Sequence, residues 1–573
     1  MMKKVLAVFL CLCLCIALSS SAVGVYALCN NEELNFVAAS DIHYLKPRNE
    51  ISGNIDDPIY WYSNNRGTLE DESGFLLDGF LKECAQNDDC DYVFIAGDLA
   101  DNGRYNPEDH RFVAEKLKAF EEETGKQVYV INGNHDCSEK LSTTRAVFKE
   151  IYAEFGYNEA LTVDENTCSY TADIGDKYRL IAFDTNHDSV TSLNAMNTDR
   201  VNWVYKQSKK AKEDGKYPIV LMHHNLLDHI SVHRIMEGEL MVNPHNSVAE
   251  LWADSGIKLV ISGHEHCSDA ALYTSTRGKK IYDFAVASLS MYPLSYRQFS
   301  VSDKEIKYDT ENLKTIDTAA LSASVGGYSE EQLRLMNEDL NEYANGFLRA
   351  GLKHRFENMM VPETIGIYSD NKYYDAVATA MISLENVLQM PLYGENSVQN
   401  LALQYKTQIP ESPYDTAWEI IMELVADHFR GEESLDFNST EMKILFNVGS
   451  VALKNVFSSV SDEYLFAAAN EVLQKAGLGT IGAELVKLSV AAFGPVSPGE
   501  YLALAIAAPF IYEFVYDNSG INDSAGVIAG YGEDGVVQNA KNLKEGVISF
   551  ISKISVYVNL VLKYIFKAVS VIV

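Results

Sequence analysis

The feature that most constrains this chain is a series of short apolar runs separated by amphipathic stretches. Between them, apolar residues recur at helical spacing, as at Val113, Leu117 and Phe120. The runs are 4–8 residues long and rich in Val, Ile, Phe and Tyr, which is typical of buried strands. They are Leu34–Ala39, Tyr92–Ala96, Val128–Ile131, Arg179–Phe183, Pro218–Met222 and Lys258–Ile261. Strands alternating with helices predict an α/β fold for the first half of the chain.

Polar side chains follow five of these six runs. They are Asp41-Ile42-His43, Gly97-Asp98, Gly133-Asn134-His135-Asp136, His223-His224 and Gly263-His264-Glu265-His266. Ligands of α/β sheets bind outside the carboxyl ends of the strands, so the five groups are expected to converge on one pocket. Carboxylate, amide and imidazole groups suit a divalent transition metal, and no Cys-rich zinc site is indicated.

Together the five elements resemble the calcineurin-like metallophosphoesterases, which include purple acid phosphatases and class III cyclic-nucleotide phosphodiesterases. The pattern of that superfamily is Asp-x-His, Gly-Asp, Gly-Asn-His-Asp/Glu, His and Gly-His-x-His, and none of its elements is substituted here. The likeness covers about residues 34–310. It implies a two-sheet β-sandwich flanked by helices, with two divalent metal ions (Mn, Fe or Zn) at one edge.

The resemblance also implies a role for each motif residue. One metal would be held by Asp41, His43, Asp98 and His266. The other would be held by Asp98, Asn134, His223 and His264, so that Asp98 bridges the two. A hydroxide shared by the metals would attack the phosphorus. His135 would protonate the leaving oxygen, and Asp136 would orient its ring and favour the imidazolium.

Several assignments near the motifs stay open. His224 could replace His223 as a ligand or contact substrate, and Arg104 is either a bidentate phosphate clamp or a solvated surface residue. Other residues near predicted strand ends could contact substrate or orient ligands, or be ordinary core and surface residues. They are His187, His229, His233, His245, Tyr292, Tyr296 and Arg297.

The N-terminal residues 1–27 have the pattern of a secretory signal peptide. Lys3 and Lys4 precede the apolar stretch Val5–Leu18, and Val25-Tyr26-Ala27 provides a small-x-small cleavage site. We therefore expect a secreted or cell-surface bacterial protein, with an uncleaved anchor as the alternative. Cleavage would leave six cysteines, for which we expect either Cys84–Cys90 and Cys137–Cys168 disulfides or reduced, buried thiols.

The second half of the chain has a different residue pattern from the first half. We expect a phosphoesterase domain over residues 28–310, a helical accessory domain over 311–545, and an amphipathic helix over 546–573. Within the accessory region, Asn518–Gly535 has the composition of a loop. The final helix carries lysines and no acidic residue, so it is expected either to lie on an anionic membrane surface or to dock on its own domain.

The net charge of the chain restricts the partners that it is expected to bind. The 573 residues carry a formal charge of -33, which argues against a nucleic-acid-binding surface. Two dications would overcome that field for a phosphate-ester substrate. The sequence therefore predicts an exported metal-dependent phosphoesterase, and it leaves monoesters and diesters undecided. The alternative is a non-catalytic surface or binding protein with an inactive phosphoesterase fold, whose expected mark is the loss of metal ligands.

Overall fold

The structure is a computed structural model of the chain. It describes residues 33–47, 66–186, 198–229, 242, 245–359, 361, 369–370, 374–432, 439–457 and 521–532. The signal-peptide segment, His187, His233 and the helix over 546–573 lie outside these residues, as does the side chain of His245.

Thirteen strands are present in the described part of the chain. They are β1 (Leu34–Ala39), β2 (Tyr92–Ile95), β3 (Gln127–Val130), β4 (Thr162–Val163), β5 (Tyr170–Ile174), β6 (Tyr178–Phe183), β7 (Tyr217–Met222), β8 (Leu259–Ser262), β9 (Asp269–Thr274), β10 (Lys280–Ala285), β11 (Ser295–Val301), β12 (Glu305–Asn312) and β13 (Ala525–Ala529). All six apolar runs are strands, so this part of the fold prediction is confirmed.

The strands form two mixed sheets. The first has the order β13-β12-β11-β1-β2-β3, and the second has the order β4-β5-β6-β7-β8-β10-β9. In the first sheet β1, β2 and β3 run parallel, with Phe36 opposite Tyr92 and Val93 opposite Val128. In the second sheet β6, β7 and β8 run parallel. Each sheet therefore presents a set of carboxyl strand ends at one edge.

Helices flank the sheets and fill the second half of the described chain. They are α1 (Ser73–Gln86), α2 (Pro107–Thr124), α3 (Arg145–Ile151), α4 (Thr198–Glu213), α5 (His245–Ser255), α6 (Thr318–Ser324), α7 (Glu330–Glu338), α8 (Leu340–Met359), α9 (Tyr374–Gln389), α10 (Val398–Gln404), α11 (Ala417–Arg430) and α12 (Thr440–Phe457), with a π-helical turn at Ala153–Tyr157. The expected apolar stripe of α2 is buried at Val113, Leu117 and Phe120. Two mixed sheets flanked by helices are the predicted metallophosphoesterase fold.

The helices after β12 divide between two apolar cores. Leu321, Met336 and Leu348, on α6 to α8, pack in the same core as the first sheet. A separate core joins α9 to α12 through residues such as Ile420 and Val448. The predicted helical character of this region is confirmed in its described parts, whereas the domain boundaries stay predictions.

One segment expected to be a loop contains a strand. Within 518–535, β13 pairs antiparallel with β12, with Ile528 opposite Ile306. The Gly, Asp and Asn content indicated a turn, but the five residues of β13 gain main-chain hydrogen bonds from a strand distant in sequence. This pairing adds one strand from the C-terminal half of the chain to the first sheet.

The expected disulfides are not present in the structure. Cys84, Cys90, Cys137 and Cys168 are buried free thiols. Burial raises the pKa of Cys84 and Cys168, and each lies within hydrogen-bonding reach of its expected partner. The two pairs are therefore neighbours as predicted, in the reduced form that was the alternative. Among the described helices, none combines the length and apolar character needed to cross a bilayer.

Candidate metal centre

Five predicted ligands have a left-handed backbone. Asp41, His43, Asp98, His264 and His266 have φ between 46° and 76°, a region that side chains other than glycine rarely adopt. Among the described residues, only three other non-glycine positions share it. Such backbone is maintained only where the surroundings enforce it, and it clusters at functional sites. The turns after β1, β2 and β8 thus direct these five side chains into one space.

The first predicted group of ligands converges as four atoms. His43 Nε2 lies 3.1 Å from His266 Nε2 and 3.6 Å from Asp41 Oδ1. The same His43 atom is 3.8 Å from Asp98 Oδ2, and His266 Nε2 is 3.3 Å from Asp41 Oδ1. Lone pairs from two imidazoles and two carboxylates therefore face one point.

The second group converges beside it. His223 Nε2 lies 2.8 Å from Asn134 Oδ1 and 3.3 Å from Asp98 Oδ2. His264 Nδ1 lies 3.1 Å from the same Asn134 oxygen. Asp98 Oδ2 thus belongs to both groups, in the bridging position that the resemblance implied. The first sheet supplies Asp98 and Asn134, and the second supplies His223 and His264.

The carboxylate oxygens of Asp41 and Asp98 that do not face the other donors hold the loops together. Asp41 Oδ2 accepts a hydrogen bond from the His264 backbone N–H at 2.9 Å. Asp98 Oδ1 accepts one from the His135 backbone N–H at 2.7 Å. Gly133 makes the hydrogen bond from the His135 N–H to Asp98 Oδ1 possible, because a Cβ at Gly133 would overlap Asp98 Oδ1.

The donor set fits a pair of metal ions. Asp41 Oδ1 is buried without a hydrogen-bond partner among the described residues, although an ionised oxygen in that position is costly to leave unpaired. The atoms facing it are imidazole nitrogens and carboxylate oxygens, the donors that divalent transition metals prefer. The residue sets Asp41, His43, His266 and Asp41, Asp98, His223 can each bring their ligand atoms within 4.8 Å of one another.

Asp101 was not identified from the sequence as a site residue. Its Oδ1 accepts from His43 Nδ1 at 3.0 Å and from Arg66 at 2.8 Å. Ala96 O plays the same part for His223, 2.8 Å from its Nδ1. Metal-ligating histidines usually donate their second ring N–H to such an acceptor, which fixes tautomer and orientation. The position of Asp101, three residues after the Gly-Asp motif, was the available signal.

The expected role of Asp136 is corrected by the structure. Its carboxylate is fully buried and accepts from the Gly133 and Ala100 backbone N–H groups at 2.7 and 3.2 Å, so it shapes the loop. The His135 ring instead places Nδ1 2.7 Å from the carbonyl of Asp101. Adjacency in sequence suggested a pair, but the turn directs the two side chains apart.

The protonation states also differ from the expectation. Burial, aided by the charge of Asp98, raises the pKa of Asp136 to about 8. Burial lowers the pKa of His135 against the attraction of Asp98. The surroundings in the absence of metal therefore favour neutral imidazole, not the imidazolium expected from an adjacent carboxylate. Nevertheless, the His135 side chain keeps 22% of its surface exposed at the site.

The two predicted substrate contacts flank this centre. His224 lies beside His264, with ring centroids 4.6 Å apart, and Thr185 Oγ1 is 2.7 Å from its Nδ1. His223, not His224, approaches Asp98 and Asn134. His224 can also bring a ring nitrogen within 4.8 Å of those of His223 and His264, so the choice of His223 as the ligand stays a prediction. Arg104 donates its backbone N–H to the His135 carbonyl at 2.8 Å, and its buried Nε has no hydrogen-bond partner in the part of the chain that the structure describes.

Other candidate residues have structural contacts. His229 lies between two carboxylates, and Tyr296 donates to Glu83. Arg297 is fully buried and donates to three backbone carbonyls. Tyr292 receives a hydrogen bond from Arg430 of α11. These contacts support the interpretation of all four residues as ordinary core and surface residues.

Comparison with known proteins agrees with this geometry. The family model of calcineurin-like phosphoesterases matches residues 34–268. That segment matches the calcineurin-like phosphoesterases, in agreement with its motifs and its fold. A metal-dependent phosphoesterase is thus the class that the family and the convergent donors support. No curated protein sequence matches the chain.

Several solved structures are similar to about half of the chain. A dimetal phosphatase from Danio rerio is 10% identical, with 49% of this chain and 96% of that one covered and a TM-score of 0.35. PhoD is 11% identical, with 48% and 65% covered and a TM-score of 0.31. A phosphopantetheinyl hydrolase from Mycobacterium tuberculosis is 13% identical, with 45% and 90% covered and a TM-score of 0.24. Likeness at this level says nothing about substrate.

Proposed function

We propose that the protein is an exported, dinuclear metal-dependent phosphoesterase that hydrolyses phosphomono- or phosphodiesters. The observation that carries the proposal is the shared Asp98 Oδ2, which faces His43 on one side and His223 on the other. Two adjacent sets of donors with one carboxylate between them are the arrangement used to clamp the attacking and leaving oxygens of an in-line displacement.

When bound, two divalent cations would supply Lewis acidity and a nucleophilic water at neutral pH. The chain itself supplies position and proton transfer. Asp101 holds His43 in one tautomer, and the Asp98–His135 backbone bond fixes the loop that carries both Asn134 and His135. We assign to His135, whose side chain is 22% exposed at the site, the donation of a proton from its protonated form to a leaving oxygen, and to Arg104 a contact with a phosphate oxygen.

Export and surface association are part of the proposal. Their support is the signal-peptide pattern over residues 1–27 and the acid-free, lysine-bearing helix pattern over 546–573. The choice between monoesters and diesters depends on the loops around the centre. A helical region that contacts the His264–His266 loop is a candidate determinant, since Phe429 O accepts from Ser268 N–H at 3.1 Å.

The experiment is a substrate panel on reconstituted protein. Apo-protein would receive Mn, Zn, Fe, Co or Mg and then matched mono- and diesters of the same alcohol. We expect binding of two metal ions per chain and turnover of at least one ester class. Binding of two metals without turnover of any ester would favour the non-catalytic alternative, and Asp98→Ala would serve as the metal-free control.

A further inference from the structure

A lysine-rich cleft lies at the opposite edge of the second sheet from the metal centre. The cavity has a volume of about 280 Å³ and five lysines in its lining: Lys212, Lys216, Lys258, Lys279 and Lys280. It touches Tyr217 at the start of β7, whereas His223 follows the end of that strand. A six-residue strand spans about 20 Å, so the cleft is a separate place on the molecule.

The charge of this cleft is opposite to that of the protein. None of the described residues that line it is Asp or Glu, in a chain with 80 acidic and 47 basic residues. The negative C-terminal ends of helices offset only part of this positive excess. Two helices, α4 and α5, end beside the cleft, and each helix C-terminus carries about half a negative charge. Lys216 is also paired, 3.3 Å from Asp173. Lys258 and Lys279 also have interactions of their own, and Lys212 and Lys280 still leave a positive excess.

The local backbone makes room for one of the lysines. Gly256 has φ of 108°, and a Cβ at this position would lie 2.6 Å from Lys212 Cδ and 3.0 Å from Lys212 Nζ. The Lys212 side chain therefore lies against the glycine at the cleft. Neither Lys212 nor Lys280 has an ion pair or side-chain hydrogen bond within the described part of the chain.

The remaining walls are fixed and partly apolar. Lys258 is buried, and its Nζ donates to Gly530 O at 2.6 Å. The rings of Tyr217 and Tyr531 stack with centroids 4.8 Å apart, and Tyr531 donates to Pro218 O. The cleft is thus a formed concavity with ammonium donors on one side and aromatic surface on the other, the composition of a small-ligand site.

We propose that this cleft binds a polyvalent phosphate group, independently of the metal centre. Clustered ammonium groups repel one another, and a multivalent anion removes that repulsion while accepting charge-assisted hydrogen bonds. The volume suits a di- or triphosphate group and excludes a nucleic-acid duplex. The source of the phosphate is either a free metabolite or the headgroup of a lipid.

The test uses inorganic pyrophosphate as the probe. Binding to full-length, metal-free protein would be measured by calorimetry for the wild type, Lys212→Gln, Lys280→Gln and the double variant. The control is Lys209→Gln, an exposed lysine on α4 outside the cleft. We expect about tenfold weaker binding for each cleft variant, the value of one charge-assisted hydrogen bond, and an unchanged Kd for the control.

Further arms separate the alternatives. Retained binding in Asp98→Ala would support a second site, whereas loss there would place the probe at the metal centre and overturn the proposal. Equal affinity in the wild type and the double variant would also overturn it. The sequence continues with Glu533-Asp534 after Gly532. Binding seen only in Glu533→Gln/Asp534→Asn would overturn the proposal by making the chain's own carboxylates the occupants.

Two sources of phosphate can be distinguished with the same variants. Vesicles with a phosphatidic-acid or polyphosphoinositide headgroup would be compared with phosphatidylcholine vesicles in a sedimentation assay. Co-sedimentation that falls with Lys212→Gln would identify a lipid headgroup as a source. Pyrophosphate binding without co-sedimentation would identify a free phosphate compound, and both results support the site.

Discussion

Asp101 Oδ1 lies 3.0 Å from the Nδ1 of His43 and also accepts a hydrogen bond from Arg66. The predicted ligand His43 is therefore oriented by a carboxylate that Arg66 fixes in position. We expect Asp101→Asn to weaken metal binding 10–100-fold, because the ring loses its charged acceptor and its preferred tautomer. Metal titration of apo-protein measures this. Asp109→Asn, another buried aspartate near the site, is the control and should change affinity little. Equal effects would assign Asp101 a general role in stability.

Asp98→Ala should remove the atom common to both donor groups. The lost Oδ2 leaves two cations without a shared negative charge, and the lost Oδ1 also releases the His135 backbone N–H. Metal content and phosphoesterase activity should therefore fall together, which elemental analysis and a nitrophenyl phosphate assay would show. Two metals retained per chain would contradict the bridging role.

The sequence predicted which donor side chains converge, because each follows a strand and strand ends are local features. Their convergence needed only the parallel order of β1, β2 and β3 and of β7 and β8. The contacts of Asp101 and Asp136 were not predictable in this way. Whether the His135 ring meets the Asp136 carboxylate or the Asp101 backbone carbonyl is decided by the turn over Gly133 and by the loop of Asp101. Likewise β13 pairs with a strand more than 200 residues away, and no local pattern records that pairing.

Gly431 connects the helical region to the metal-ligand loop. It ends α11 with φ of 68°, and a Cβ there would overlap the carbonyl oxygen of Ser268. We expect Gly431→Ala to displace the loop that carries His266 and to weaken metal binding by several-fold or more. Gly394→Ala is a matched control, because Gly394 also has positive φ but open space around its Cβ position. Similar metal affinities for the two variants would limit Gly431 to helix termination.

His229 should make stability depend on pH. Its Nδ1 lies 2.6 Å from Asp269 and its Nε2 3.3 Å from Asp283. Against burial, these carboxylates raise the pKa of His229 from 6.5 to about 10. A raised pKa stabilises the fold fully below pH 6.5, and the contribution disappears as pH rises through about 10.

The magnitude is on the order of 2–5 kcal/mol for a shift of this size. Urea unfolding of metal-free protein between pH 6 and 10.5 should show that loss in the wild type. His229→Gln should be less stable at pH 6 and should have a flatter profile. His354→Gln, on α8 away from this cluster, should keep the wild-type slope. A slope unchanged in His229→Gln would mean that other groups set the alkaline limit.

His135 should act on the leaving group without holding a metal. Its backbone N–H is bonded to Asp98, and its ring contacts the Asp101 carbonyl, so His135→Ala leaves every predicted ligand in place. Metal content should stay at the wild-type value. The rate should fall by roughly 10²–10⁴-fold for alkoxide leaving groups, which need a proton, and much less for nitrophenolate, which leaves without one.

The measurement compares wild type and His135→Ala on esters of graded leaving-group pKa, with metal content checked for each preparation. A general acid produces a steeper dependence on leaving-group pKa in the variant than in the wild type, because the wild type supplies the proton that poor leaving groups lack. Parallel lines would remove the proton-donating role from His135. Its partly exposed ring would then act by positioning the phosphate.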